Sequence, residues 1–195
     1  MKKIFMIHGW DFNPKMHWYQ WVKKELEKLN FKVIIPTMPN PSEPKIEEWV
    51  TRLKQVVEKL DADTYFIGHS LGCQAIMRFL ENEDFTDKVP MIIFVAGWFK
   101  LDNLENKEVE KIAGPWINNP IDFNKIKSKI KKLVVFFSSN EPYGYVKYNA
   151  KIFQEKLGAK VIIEKNKGHF TAEDKITAMP EIIEIIKNQN EMSAI

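Results

Sequence analysis

Three side chains stand in the chain in the order nucleophile, acid, base: Ser70, Glu141 and His169. Ser70 is the centre of Gly68-His69-Ser70-Leu71-Gly72. With 8 glycines in 195 residues, such a pentapeptide arises by chance about 0.01 times per chain. The apolar run Thr64-Tyr65-Phe66-Ile67 precedes it, and Leu71, Ala75, Ile76, Phe79 and Leu80 follow at helical spacing. Strand, G-x-S-x-G and helix in that order predict a nucleophile elbow, with the hydroxyl on a sharp strained turn. The flanking glycines carry no Cβ, so strand and helix can approach. A serine hydroxyl is a poor nucleophile until a base takes its proton. An imidazole, with an ordinary pKa of about 6.5, is mostly unprotonated at pH 7 and can serve. A carboxylate on its far nitrogen fixes the tautomer and stabilises the imidazolium. The negative oxygen that attack creates needs preorganised N–H donors. The backbone amides of Leu71 and Trp10 are the natural pair.

Short apolar runs alternate with amphipathic segments around these residues. Ile4–Ile7, Phe31–Ile35, Thr64–Ile67, Met91–Val95, Leu133–Phe137 and Val161–Ile163 read as six strands buried on both faces. Residues 17–29, 46–60, Leu71 to about Leu80, and a segment from Val146 closed by Gly158 read as helices. A final helical region runs to about Lys187, interrupted at Pro180, and residues 188–195 are expected to fray. The alternation predicts an α/β fold with a doubly wound, mostly parallel six-stranded sheet in one domain spanning 1–195. Residues 98–131 show no clear pattern; a short cap is the expectation for them. In an open parallel sheet the site lies beyond the C-terminal strand ends. His8-Gly9-Trp10, Ser70, Glu141 and His169 all fall there.

Other candidates are weaker. Asp122 and Asp102 are the alternative acids. His69 and His8 read as structural, His17 as a surface residue at a helix start, and Cys73 as a small buried side chain. Trp10, Trp98, Phe99, Trp116, Tyr143 and Phe170 are the aromatic candidates for an acyl or leaving-group pocket.

Composition narrows the classes. The formal net charge is +3, too weak a bias to indicate nucleic acid. The basic stretch Lys125 to Lys132 reads as a solvated helix face. One cysteine permits no intrachain disulfide and no cysteine-rich metal site. The apolar run after Lys2-Lys3 is too short for a signal peptide, and no stretch approaches a membrane span. The expectation is a cytoplasmic protein with no cofactor, no metal, no nucleic-acid partner and no membrane association, acting on a small ester or amide; the sequence leaves a protein partner open.

The chain resembles the small single-domain serine hydrolases typified by retinoblastoma-binding protein 9 and a bacterial branch of similar size, within the α/β-hydrolase superfamily. The matching pieces are His8-Gly9-Trp10 with His17-Trp18-Tyr19 and Trp21, Met38-Pro39-Asn40-Pro41 with Trp49, the Ser70 pentapeptide, Gly114-Pro115-Trp116, Glu141-Pro142-Tyr143 and Gly168-His169. The resemblance implies a compact α/β-hydrolase lacking the first two strands of the larger superfamily fold. It implies Ser70 as nucleophile, His169 as base, the residue before Pro142 as acid, and esterase or amidase activity. The chain departs from the family at Glu141, where Asp is usual, and at Gly144-Tyr145, where Val-Pro is usual. The alternatives to an esterase are an aminopeptidase or amidase, or a weakly catalytic or non-catalytic protein-binding module on the same fold.

Overall fold

The computed structural model describes residues 1–85 and 87–192. Six strands form one sheet: β1 (Lys3–Ile7), β2 (Lys32–Ile34), β3 (Thr64–His69), β4 (Ile92–Val95), β5 (Leu133–Ser138) and β6 (Lys160–Glu164). Their order is β2-β1-β3-β4-β5-β6, and every pairing is parallel. The chain runs from β1 outward to β2, then returns to place β3 on the other side of β1. The strand order therefore reverses between β1 and β3, which opens a crevice at their C-terminal ends. The loop carrying Trp10 leaves β1 there, and the Ser70 turn leaves β3.

Alternate residues of each inner strand feed two cores. Phe5, Ile7, Phe66, Ile92 and Phe94 face one layer, packed with α2 (Ile46–Val57), α3 (Leu71–Asn82) and α6 (Val146–Leu157). Ile4, Met6, Tyr65, Ile67 and Ile93 face the other, packed with α1 (Tyr19–Glu27) and α7 (Pro180–Met192). Burial on both faces explains why these strands read as unbroken apolar runs. Strand β6 departs from that reading. Like β2 it is an edge strand, and Ile163 is 53% exposed.

The segment 98–131 holds two helices, α4 (Lys107–Asn118) and α5 (Phe123–Ser128). Asn106 caps α4 by accepting from the amides of Glu108 and Val109. Arg78 Nη2 donates to the carbonyls of Trp116 and Asn119 at 3.0 Å each, which satisfies the end of α4. Pro180 does not interrupt the last helix; it is the first residue of α7, where its missing N–H costs nothing. The expected fraying from Asn188 is not observed to Met192, which is helical, and 193–195 lie outside the described residues. Lys129 is not part of a solvated face. It is buried, and its ammonium donates to the carbonyls of Leu80 at 2.8 Å and of Glu83, closing the end of α3.

Candidate active site

The elbow forms because the first turn of α3 rests almost against the end of β1. A Cβ on Gly72 would lie 2.2 Å from the Ile7 carbonyl oxygen and 2.7 Å from that of His8. A Cβ on Gly68 would lie 2.9 Å from the amide nitrogen of Cys73. With those side chains absent the turn closes, and Ser70 is held at φ +52, ψ −120. That is a strained conformation for a residue with a side chain. Its amide donates to the Val95 carbonyl at 2.9 Å, tying the turn to β4. The indole N–H of Trp98 donates to Ser70 Oγ at 3.4 Å, which leaves the hydroxyl proton free to be given away.

A Cβ on Gly9 would sit 3.1 Å from Ser70 Cβ, so the loop after β1 runs against the elbow. His8 sets that loop. Its Nε2 accepts the Met38 amide at 3.1 Å, so Nδ1 carries the proton and donates to the Gly9 carbonyl at 2.9 Å. Burial holds the His8 pKa below the usual imidazole value, in keeping with this neutral form. Among the described residues, neither the Trp10 amide nor the Leu71 amide is used in a hydrogen bond.

His169 follows β6 and Glu141 follows β5. The His169 ring approaches the carboxylate with Nδ1 at 2.7 Å from Oε1, and both side chains are buried. A carboxylate can only accept, so Nδ1 carries the proton, and in the neutral ring Nε2 is the nitrogen with the lone pair. Glu141 Oε1 also accepts the Tyr143 amide at 3.4 Å, while Oε2 is buried without a hydrogen-bond partner among the described residues. The two loops are stitched together. Ser138 Oγ accepts the Lys167 amide and Asn140 Oδ1 accepts the Gly168 amide, each at 2.9 Å. Asp174 Oδ2 accepts the His169 amide at 2.8 Å and the Thr171 hydroxyl at 2.8 Å.

Ser70 and His169 open into one cavity of about 450 Å³. Trp10, Trp98 and Tyr143 line it. Tyr143 meets the His169 ring edge-on with centroids 4.9 Å apart. Leu101, Leu104, Val109 and Ile112, from the start of α4 and the loop before it, line it as well. No hydrogen bond within 3.5 Å joins Ser70 Oγ to the His169 ring; in ligand-free sites such bonds are commonly long and tighten with substrate.

Three expected pocket residues lie elsewhere. Trp116 is buried against Trp49, with its indole N–H donating to the Pro44 carbonyl at 3.0 Å. Phe170 is buried in the core of the opposite sheet face. Phe99 packs on Phe123 and Phe153 and is not in the cavity wall. The alternative acids are also accounted for. Asp122 caps α5 by accepting the Lys125 amide, and Asp102 accepts the Asn103 amide; neither touches His169. His17 is not a surface residue, since its side chain is 1% exposed. Cys73 is buried, and burial pushes its thiol well above the usual range, so the thiolate is disfavoured.

A family model described as "Serine hydrolase" matches residues 4–188. The chain belongs to the serine hydrolase family. This serine hydrolase is 29% identical over 189 residues to YdeN of Bacillus subtilis, covering 95% of the chain and 94% of YdeN. The crystal structure of the B. subtilis ydeN gene product superposes with a TM-score of 0.89, covering 98% of this chain and 100% of that one. Identity to the serine hydrolase RBBP9 of Rattus norvegicus is 28% over 172 residues, covering 88% and 85% of the two chains. Est1E from Butyrivibrio proteoclasticus, solved with ferulic acid bound, shares the fold at a TM-score of 0.71 and 13% identity, with 98% and 90% covered. Among the described residues no helix is long and apolar enough to cross a membrane, and no group of three or more His, Cys, Asp or Glu could hold a metal ion.

Proposed function

We propose that this serine hydrolase cleaves small acyl esters through an acyl-enzyme, with Ser70 as nucleophile, His169 as base and Glu141 as the acid that orients it. The observation that carries this reading is the buried 2.7 Å contact between His169 Nδ1 and Glu141 Oε1, in a ring that shares a cavity with an elbow serine. As Ser70 Oγ attacks the substrate carbonyl carbon, its proton passes to His169 Nε2. Glu141 stabilises the imidazolium that results. The carbonyl oxygen becomes an oxyanion, met by the N–H groups of Leu71 and Trp10. Collapse expels the alcohol, which takes the proton from His169. Water then repeats the sequence at the acyl-enzyme, with His169 again as base. Leu101, Leu104, Val109 and Ile112 give the cavity an apolar wall suited to a short acyl chain.

Turnover of p-nitrophenyl acetate and butyrate, set beside aminoacyl amides, tests the substrate class. Ester hydrolysis well above amide hydrolysis is expected, and the reverse would replace the esterase reading by an amidase one. The Glu141→Gln variant tests the acid. It retains the side chain's size but removes the charge, and kcat is expected to fall at least ~100-fold, as for loss of a triad carboxylate. Near-normal turnover in this variant would remove Glu141 from the mechanism.

A further inference from the structure

His17, Trp18 and Tyr19 lie just ahead of and at the start of α1, far in sequence from the proposed base. Each nevertheless holds the loop that carries it. His17 Nδ1 accepts the Ala172 amide at 3.0 Å. The Trp18 indole N–H donates to the Phe170 carbonyl at 3.1 Å. Tyr19 acts one step removed. Its hydroxyl meets His69 Nδ1 at 2.7 Å, and His69 Nε2 meets the His169 carbonyl at 2.8 Å. Tyr19 and His69 are completely buried, so no solvent competes for these bonds.

The chemistry of the partners fixes every proton in this chain. A backbone carbonyl only accepts, so His69 Nε2 must donate to it. His69 Nδ1 is then the lone-pair nitrogen, and the Tyr19 hydroxyl must donate to it. Burial disfavours both charged forms, phenolate for Tyr19 and imidazolium for His69. Phe12 stacks on the His69 ring with centroids 5.3 Å apart, which fixes its plane.

His69 is bonded in the chain to Ser70 and hydrogen-bonded to the backbone of His169. We infer that Tyr19 and His69 are positioning residues for the reaction: Tyr19 selects the His69 tautomer whose Nε2–H holds the His169 carbonyl, and this bond sets the distance between Ser70 and the base. The inference rests on His169 being the base. Without the Tyr19 hydroxyl, His69 can shift its proton to Nδ1. Its Nε2 lone pair would then face the lone pairs of the His169 carbonyl and push the base loop away. A displacement of about an ångström at the reacting atoms costs on the order of 100-fold in rate.

Tyr19→Phe, His69→Gln, His69→Leu and His169→Ala, assayed in the full chain on p-nitrophenyl acetate, test this. Tyr19→Phe deletes one oxygen, so the fold is retained. Its kcat is expected to fall about 10- to 100-fold, with KM changed less than about twofold because neither residue lines the cavity. His69→Gln keeps an N–H donor for the His169 carbonyl and is expected to retain at least about fivefold more kcat than His69→Leu. Wild-type kcat in Tyr19→Phe, or equal kcat in the two His69 variants, would overturn the inference while a collapse of kcat in His169→Ala left the base assignment standing. Full turnover in His169→Ala would overturn the base assignment itself, and this inference with it. Should the His69 variants fail to fold, ring ¹⁵N shifts of the wild-type protein decide. A proton on His69 Nε2 is expected, and a proton on Nδ1 would overturn the inference.

Discussion

Replacing His169 by Ala should lower kcat by roughly 10⁶-fold, the scale seen when the base of a serine triad is removed. The variant keeps the strained Ser70 turn and the Leu71 and Trp10 amides, so the residual rate reports what those donors achieve alone. It also leaves Glu141 with a buried carboxylate whose one remaining hydrogen bond is the 3.4 Å contact from the Tyr143 amide. An unpaired buried polar group costs about 1–3 kcal/mol, so the midpoint of thermal unfolding should fall as well. The two effects separate readily, because kcat can be measured well below the unfolding transition. A loss of stability with undiminished kcat would mean that the 2.7 Å pair is a structural contact and not part of a catalytic relay.

The second large effect is expected at Gly72, on stability and activity together. An alanine Cβ there would meet Ile7 and His8 backbone oxygens at 2.2 and 2.7 Å. Backbone on that side cannot rotate away as a side chain could, so β1 and α3 must separate. Overpacking of this kind costs about 3 kcal/mol or more, which lowers the unfolding midpoint by roughly 6–12 °C in a domain of this size. Separation of β1 from α3 also pulls the Trp10 amide from the Leu71 amide, so the folded fraction should itself be slow. Gly114→Ala is the matching control. Its Cβ would have nothing nearer than Asn118 Nδ2 at 3.8 Å, within helix α4, and helix propensity favours alanine there by about 0.8–1 kcal/mol. Calorimetry of the two variants should therefore give shifts of opposite sign.

Residue patterns were informative where they reflect backbone geometry. The inner strands are buried on both faces, so each is an unbroken apolar run, and the glycines at 68 and 72 mark a contact that tolerates no Cβ. Side-chain destinations were harder to read. Trp98 and Trp116 are both large aromatics in one ill-defined segment, yet one lies beside Ser70 and the other packs on Trp49. Phe170 follows His169 directly but turns into the opposite core. Helix α4 did carry a signal: Val109, Ile112, Ala113, Trp116 and Ile117 follow helical spacing. Gly114 and Pro115 within it obscured the pattern, and with it the cavity wall that Val109 and Ile112 form. His17 and Lys129 misled for a common reason. Each is a polar residue type that is usually solvated, buried where it has backbone groups to satisfy. The extra methylene of Glu141 relative to Asp does not prevent contact with His169; its Oε2 is without a partner among the described residues.

The central claim is that Ser70 is an activated nucleophile, and a fluorophosphonate probe addresses it directly. Such a probe forms a bond only with a serine whose proton is taken as it attacks, and it needs no knowledge of the physiological substrate. Labelling of the folded protein followed by peptide mapping should place the adduct on Ser70, and Ser70→Ala should abolish it without loss of fold. A folded wild-type protein that does not react, or an adduct that persists in Ser70→Ala, would contradict the account and favour a binding module built on the same fold.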